Sequence, residues 1–154
     1  MSEQCRQLEQ LLHRDIPLTQ AMQVQVLSWQ HSELRLQLPL AANCNLHQTM
    51  FGGSLYCAAV LAGWGWLYLR LREAGVDNAN IVIRDGQISY LQPQTDDAVA
   101  CCPAPATADW DKFLATYQRR GVARLSLVSQ VLNASGEVAA RFAGQYVLQR
   151  ERGA

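Results

Sequence analysis

Twenty consecutive residues, Met50 to Leu69, carry no charge. A helix of about twenty apolar residues is long enough to cross a bilayer, so such a run is either a membrane span or a helix enclosed on all sides by its own domain. The Gly52-Gly53-Ser54 break near its start, and amphipathic segments on both sides that need an aqueous face, favour the enclosed helix. Arg70 and Arg72 follow, then Gly75, which is the cationic last turn and glycine stop of a helix ending in water. A central core helix is therefore expected from about Ser54 to Ala74, with no membrane as partner.

The flanking segments say what encloses it. Gln4 to Arg14 carries Leu8, Leu11 and Leu12 at helical spacing, and Pro17 closes that short helix. Met22, Val24 and Val26 alternate with glutamines, and Leu34, Leu36, Leu38 and Leu40 alternate with polar residues, as strands with one buried face do. Gln30-His31-Ser32 joins the two as a hairpin. Beyond the central helix, Ile81 to Leu91 has Ile81 and Ile83 in one phase and Ile88 and Tyr90 in the other, with Asp85-Gly86 between them, and this slip predicts a bulge.

Ala98 to Cys102 reads as a short strand stopped by Pro103 and Pro105. A second helix begins near Asp109, with Trp110, Phe113, Leu114 and Tyr117 on one face and Gly121 after its end. Two long alternating segments, Ala123 to Val131 and Val138 to Leu148, flank the turn Asn133-Ala134-Ser135-Gly136. Five or six antiparallel strands and one all-apolar helix predict an α+β domain in which the sheet curls around the helix. A chain of 154 residues is long enough for one such core, so residues 1–154 are expected as a single domain. Its strand edges call for cover by a second copy, as a homodimer or a dimer of dimers.

Charge narrows the partners. Lysine plus arginine and aspartate plus glutamate balance at 13 each, which gives no field for nucleic acid or an anionic membrane. Lys112 is the only lysine, and Arg84, Arg119, Arg120 and Arg124 are the arginines available for local phosphate contacts. The five cysteines show no Cys-x-x-Cys pair and read as reduced core thiols. The amino-terminal residues lack the basic-then-apolar order of a signal peptide, so the expected setting is cytoplasmic. No metal is expected, because neither histidines nor cysteines show ligand spacing.

Polar residues gather where the central helix opens, in Asn45-Leu46-His47-Gln48-Thr49-Met50-Phe51-Gly52-Gly53-Ser54. A helix N-terminus presents unpaired N–H groups and the positive end of a dipole, and two glycines let a ligand reach the backbone. Asn45 to Gly53 resembles the Asn-x-x-Gly-x-x-Phe-Gly-Gly loop of hotdog-fold acyl-CoA thioesterases. Phe51-Gly52-Gly53-Ser54-Leu55 with Ala62-Gly63-Trp64-Gly65 resembles more closely the YiiD C-terminal-domain family of thioesterases, over roughly residues 5 to 150.

That resemblance implies a hotdog fold and hydrolysis of an acyl-CoA or acyl-carrier-protein thioester by an activated water. Coenzyme A or phosphopantetheine then belongs to the substrate, and no separate cofactor is needed. Gly53, with Gly52, would donate backbone N–H groups to the developing oxyanion. His47 would take the proton from water, and Asn45 would orient the water or the carbonyl. Gln48, Thr49, Phe51 and Ser54 would contact the substrate, with Ser54 also expected as the helix N-cap.

Two positions depart from the pattern. Val60 stands where the family commonly has an acidic residue on the helix, and Gln48 stands where it has a glycine. Asp85, re-aimed by the expected bulge, is the best replacement carboxylate. The missing acid also keeps two other readings open: a non-catalytic acyl-thioester binder, and a hydratase or dehydratase on a similar fold.

Overall fold

The computed structural model describes residues 1–151, so residues 152–154 of the expected domain lie outside the described residues. The elements are α1 (Glu3–Asp15), α2 (Leu18–Ala21), β1 (Gln25–Gln30), β2 (Glu33–Leu38), α3 (Gly52–Glu73), β3 (Ala79–Tyr90), β4 (Ala98–Cys102), α4 (Thr107–Arg120), β5 (Val122–Leu132) and β6 (Val138–Arg150). One hydrophobic cluster runs through them, with α3 at its centre. Leu55, Leu61, Trp66, Leu67, Leu69 and Leu71 of α3 are all buried. Burying side chains of this size contributes roughly 1.5–3 kcal/mol each, enough to override the poor helix propensity of the glycines. Among the described residues no helix is long and apolar enough to cross a membrane.

The six strands form one antiparallel sheet in the order β1-β2-β4-β5-β6-β3. His31 (φ 51) and Ser32 (φ 55) both take positive φ, the two-residue turn whose twist suits a hairpin. The bulge in β3 falls between Ile83 and Asp85, opposite Tyr146 and Gln145. Either side of it, Ile81 and Ile88 both pack on the core, so the extra residue restores the inward phase that the sequence pattern loses. Pro103 stops β4 after it has paired with β5 only from Val99↔Leu132 to Cys101↔Gln130. The helix α4 packs beside β5 with Trp110, Phe113 and Tyr117 buried.

Two local expectations differ from what forms. Met22 and Val24 are buried but precede the strand, because Pro17, at φ -54, starts the further helical turn α2, and Gln23 turns the chain at φ 56. Nearby, His13 of α1 is half-buried and donates Nε2–H to the Val24 carbonyl at 2.8 Å. On the same rim of the sheet, Val26 N–H donates to Glu9 Oε2 at 2.8 Å, so α1 occupies backbone groups of β1. Lastly, α3 starts at Gly52 rather than Ser54, and the residue at its N-cap is Phe51, which makes no side-chain cap bond.

Candidate active site at the mouth of the central helix

The loop before α3 is a small closed hairpin. Cys44 and Met50 form an isolated bridge at its base, and Asn45 N–H donates to the Thr49 carbonyl at 2.8 Å. Asn45 closes the loop from inside: Oδ1 accepts from His47 N–H at 2.8 Å and Thr49 N–H at 3.2 Å, while Nδ2 donates to Thr49 Oγ1 at 2.8 Å. Gln48 sits at φ 64, the left-handed conformation that a glycine would adopt without strain, at the position where the resembling pattern has a glycine.

Two residues not singled out by the sequence reading fasten this loop to the body. Asn43, 4% exposed, donates Nδ2–H to the carbonyls of Met22 (2.8 Å) and Pro39 (2.9 Å), and its own carbonyl accepts from Phe51 N–H at 2.7 Å. Gln94 accepts Met50 N–H on its carbonyl at 2.8 Å and donates Nε2–H to the carbonyls of Asp96 and Asp97 and to Asp96 Oδ1. The one signal for either was a polar residue beside apolar ones in a loop, which thousands of surface positions share.

At the mouth itself, Phe51 is extended (ψ 133), and its carbonyl accepts from Ser54 N–H at 3.0 Å and Leu55 N–H at 3.2 Å. Ser54 is thus inside the first turn and is not the cap. The N–H groups of Gly52 and Gly53 have no backbone acceptor outside the helix among the described residues, and an α-helix offers none to its first turn. Anions and carbonyl oxygens are favoured at such a point by these donors and by the helix dipole.

Beside it lies a mostly apolar hollow of about 320 Å³ lined by Leu18, Ala21, Met22, Ala42, Asn43, Phe51, Gly53, Ser54 and Cys57. Burial pushes the Cys57 thiol above its ordinary ionisation range, which keeps it a thiol rather than a thiolate. On the other side of the mouth a groove of about 420 Å³ is lined by Thr49, Met50, Gly52, Leu55, Tyr90, Leu91, Gln92, Pro93 and Gln94. Tyr90, a third residue not singled out from sequence, donates its hydroxyl to the Gly52 carbonyl at 2.8 Å.

The structure therefore brings Thr49, Phe51, Gly52, Gly53 and Ser54 together. His47 lies at the exposed loop tip beside Leu46, which is 96% exposed, and its ring makes no hydrogen bond among the described residues. Asp85 is not at the mouth. It shares a shallow groove with Gln87, Ser126, Ala143 and Gln145, while its neighbour Gly86 packs against Tyr56 of α3. Successive strand residues face opposite ways, so Asp85 points to the side of the sheet away from α3, and its near partner is Arg84 at 3.6 Å. The bulge re-aims this strand, but it turns the glycine inward and the carboxylate outward.

Val60 lies on the half-buried stripe of α3 with Tyr56, Cys57, Trp64 and Tyr68, and its carbonyl accepts the Tyr146 hydroxyl at 2.7 Å. Of the arginines, Arg120 and Arg124 meet Lys112 in a separate groove of about 600 Å³ between α4 and β5, whose lining includes no residue of α3. No group of three or more histidine, cysteine or acidic side chains is placed to hold a metal among the described residues.

The chain as a whole is similar to known proteins. Residues 5–150 match the family described as putative thioesterase (yiiD_Cterm). The crystal structure of a protein described as a putative thioesterase from Shewanella oneidensis is 36% identical, with a TM-score of 0.85 over 96% of this chain and 98% of that one. A protein of unknown function from Chlorobaculum tepidum TLS is 32% identical, with a TM-score of 0.90 over 96% and 94%. A third structure, from Pseudomonas aeruginosa, is 22% identical at a TM-score of 0.81 over 95% of each chain and shows the shared fold. With nearly its whole length matched and a six-stranded sheet packed on α3, the chain belongs to the yiiD C-terminal thioesterase family and has the hotdog fold.

Proposed function

We propose that the protein hydrolyses an acyl thioester carried by coenzyme A or by the phosphopantetheine arm of an acyl carrier protein. The observation that carries this reading is the pair of free N–H groups at Gly52 and Gly53, on an uncapped helix N-terminus that opens beside an apolar hollow. The thioester carbonyl oxygen sits on these donors and the acyl chain enters the hollow past Phe51 and Cys57. When water adds to the carbonyl, the oxygen gains negative charge just where the donors and dipole point. One preorganised donor of this kind is worth about 10²–10³ in rate.

His47 takes the proton of the attacking water, and Asn45 and Thr49 hold the loop that presents it. The working unit is a pair of copies joined along β3. Supporting this are the free outer edge of that strand and the exposure of Val82, Ile83 and Tyr90 along it. The second copy then covers the mouth, where Leu46, Phe51, Tyr90 and Leu91 are also exposed.

The test is turnover of a panel of acyl-CoA and acyl-carrier-protein thioesters, followed by release of free thiol. Hydrolysis of at least one chain length is expected, with a loss on the order of 10²-fold or more in His47→Ala. A folded protein that turns over no member of the panel overturns the reading. One observation favours a second reading, an acyl-thioester binder without catalysis: α3 offers no carboxylate before Glu73, and Val60 fills the usual acidic position. Calorimetric binding of acyl-CoA with no thiol release would establish that alternative.

A further inference from the structure

We infer that Tyr90 is a positioning residue for the oxyanion donor: its hydroxyl, on the Gly52 carbonyl, orients and polarises the Gly52–Gly53 peptide group whose N–H faces the substrate. The inference rests on the thioesterase reading for its catalytic consequence, but not for the geometry.

The Gly52 carbonyl and the Gly53 N–H are opposite ends of one rigid amide plane. Whatever fixes the direction of one fixes the other. A donor on the oxygen also draws electron density across the amide and makes the N–H a stronger donor, the cooperative effect seen in chains of hydrogen bonds. Within a helix the carbonyl of residue 52 accepts from the N–H of residue 56. The Tyr90 hydroxyl at 2.8 Å supplies a second donor for the remaining lone pair.

The neighbouring amide is treated alike by other means. The Phe51 carbonyl, which shares its plane with the Gly52 N–H, accepts from both Ser54 and Leu55. Both free N–H groups at the mouth therefore belong to peptides whose oxygens are bonded twice, that of Phe51 by two amides of the first turn and that of Gly52 by the helix and Tyr90.

External fixing is needed here. The first turn has no side-chain cap, and two adjacent glycines leave its backbone little intrinsic restraint. Tyr90 is well placed to supply it. As the last residue of β3 it pairs with Ala140 of β6, and the next residue, Leu91, donates to the Ala139 carbonyl at 2.8 Å. The ring is thus anchored to the sheet. A methyl group on Gly52 would lie 3.3 Å from the hydroxyl and 3.4 Å from Cζ, so the glycine lets the ring come this close. Cover by the protein raises the phenol above its ordinary ionisation range, with Tyr56 and Cys57 adding to the effect, so the hydroxyl keeps its proton to donate.

The test compares Tyr90→Phe, and 3-fluorotyrosine at position 90, with the wild-type protein. Tyr90→Phe keeps the ring and loses only the hydrogen bond. The expected result is a fall in kcat of roughly 3- to 10-fold with KM changed less than about twofold, the size of one ordinary hydrogen bond. In ¹H,¹⁵N spectra the Gly53 amide proton moves upfield in Tyr90→Phe and downfield with the more acidic fluorophenol. An unmoved Gly53 amide overturns the inference, as does a rise in KM with kcat intact, which would mark a substrate contact instead. If the wild-type protein hydrolyses no thioester, the proposed function fails by itself, and the amide shifts still decide the role of Tyr90.

Discussion

A methyl group placed on Gly63 would run into the ring of Tyr146, 2.6 Å from Cζ, and one on Gly65 would lie 2.6 Å from Leu34 Cδ2. Eleven and twelve residues earlier in the same helix, at Gly52 and Gly53, the groups that such a methyl meets can give way. At Gly52 the methyl meets Tyr90 at 3.3 Å, and at Gly53 it meets the ring of Phe51, which is 57% exposed and free to turn away. The inner pair exists so that the sheet can close on the helix, whereas the outer pair leaves a backbone that something else can approach. One residue type, used twice in α3, makes the packed middle and the open mouth.

The contrast is most exposed to failure in a matched pair of variants. Gly63→Ala is expected to lose about 1–3 kcal/mol through overpacking, lowering the thermal midpoint by several degrees. Gly53→Ala is expected to leave stability nearly unchanged, because the gain in helix propensity, about 1 kcal/mol, offsets the displaced Phe51 ring. Equal losses in thermal melts of the two would break the comparison. Tyr146→Phe should cost about 1 kcal/mol, since the bond to the Val60 carbonyl at 2.7 Å is buried.

At the mouth the expected signs change. Gln48→Gly should stabilise by roughly 0.5–1 kcal/mol, the left-handed strain at φ 64 being relieved at some cost in unfolded-chain entropy. A fall in the melting temperature would show that Gln48 makes contacts which outweigh that strain. The smallest effect concerns labelling. A non-hydrolysable acyl thioester is expected to slow alkylation of Cys57, which lines the hollow, and to leave the exposed Cys44 unaffected, as mass spectrometry of the labelled peptides would show. Protection of neither would place the acyl chain elsewhere.

What the sequence made readable follows from periodicity. The charge-free run, the alternation in β5 and β6 and the phase slip in β3 each record which side of an element is buried, and each element formed accordingly. Periodicity carries no information on contacts between distant segments. Tyr90 reaches Gly52 across 38 positions, and Gln94 holds Met50 from the same far segment, so neither could be singled out from its neighbours in the chain. Asp85 shows the same limit from the other side: the pattern located a bulge, but the facing of its residues depended on Tyr56 filling the space over Gly86. Gln48, by contrast, stood out in the sequence as a departure, and its positive φ explains what the missing glycine had supplied.

The short helix at the amino terminus has an effect on assembly. A sheet has two rims, and each can recruit another strand. Glu9 and His13 of α1 already hold the Val26 N–H of β1 and the Val24 carbonyl just before it, so a visiting strand finds those partners taken. In the proposed pairing along β3, strand-to-strand growth would meet, at each far end of the doubled sheet, a β1 rim whose first groups are already bonded to α1. If the proposed dimer forms, α1 would thus favour a closed pair over an open-ended stack.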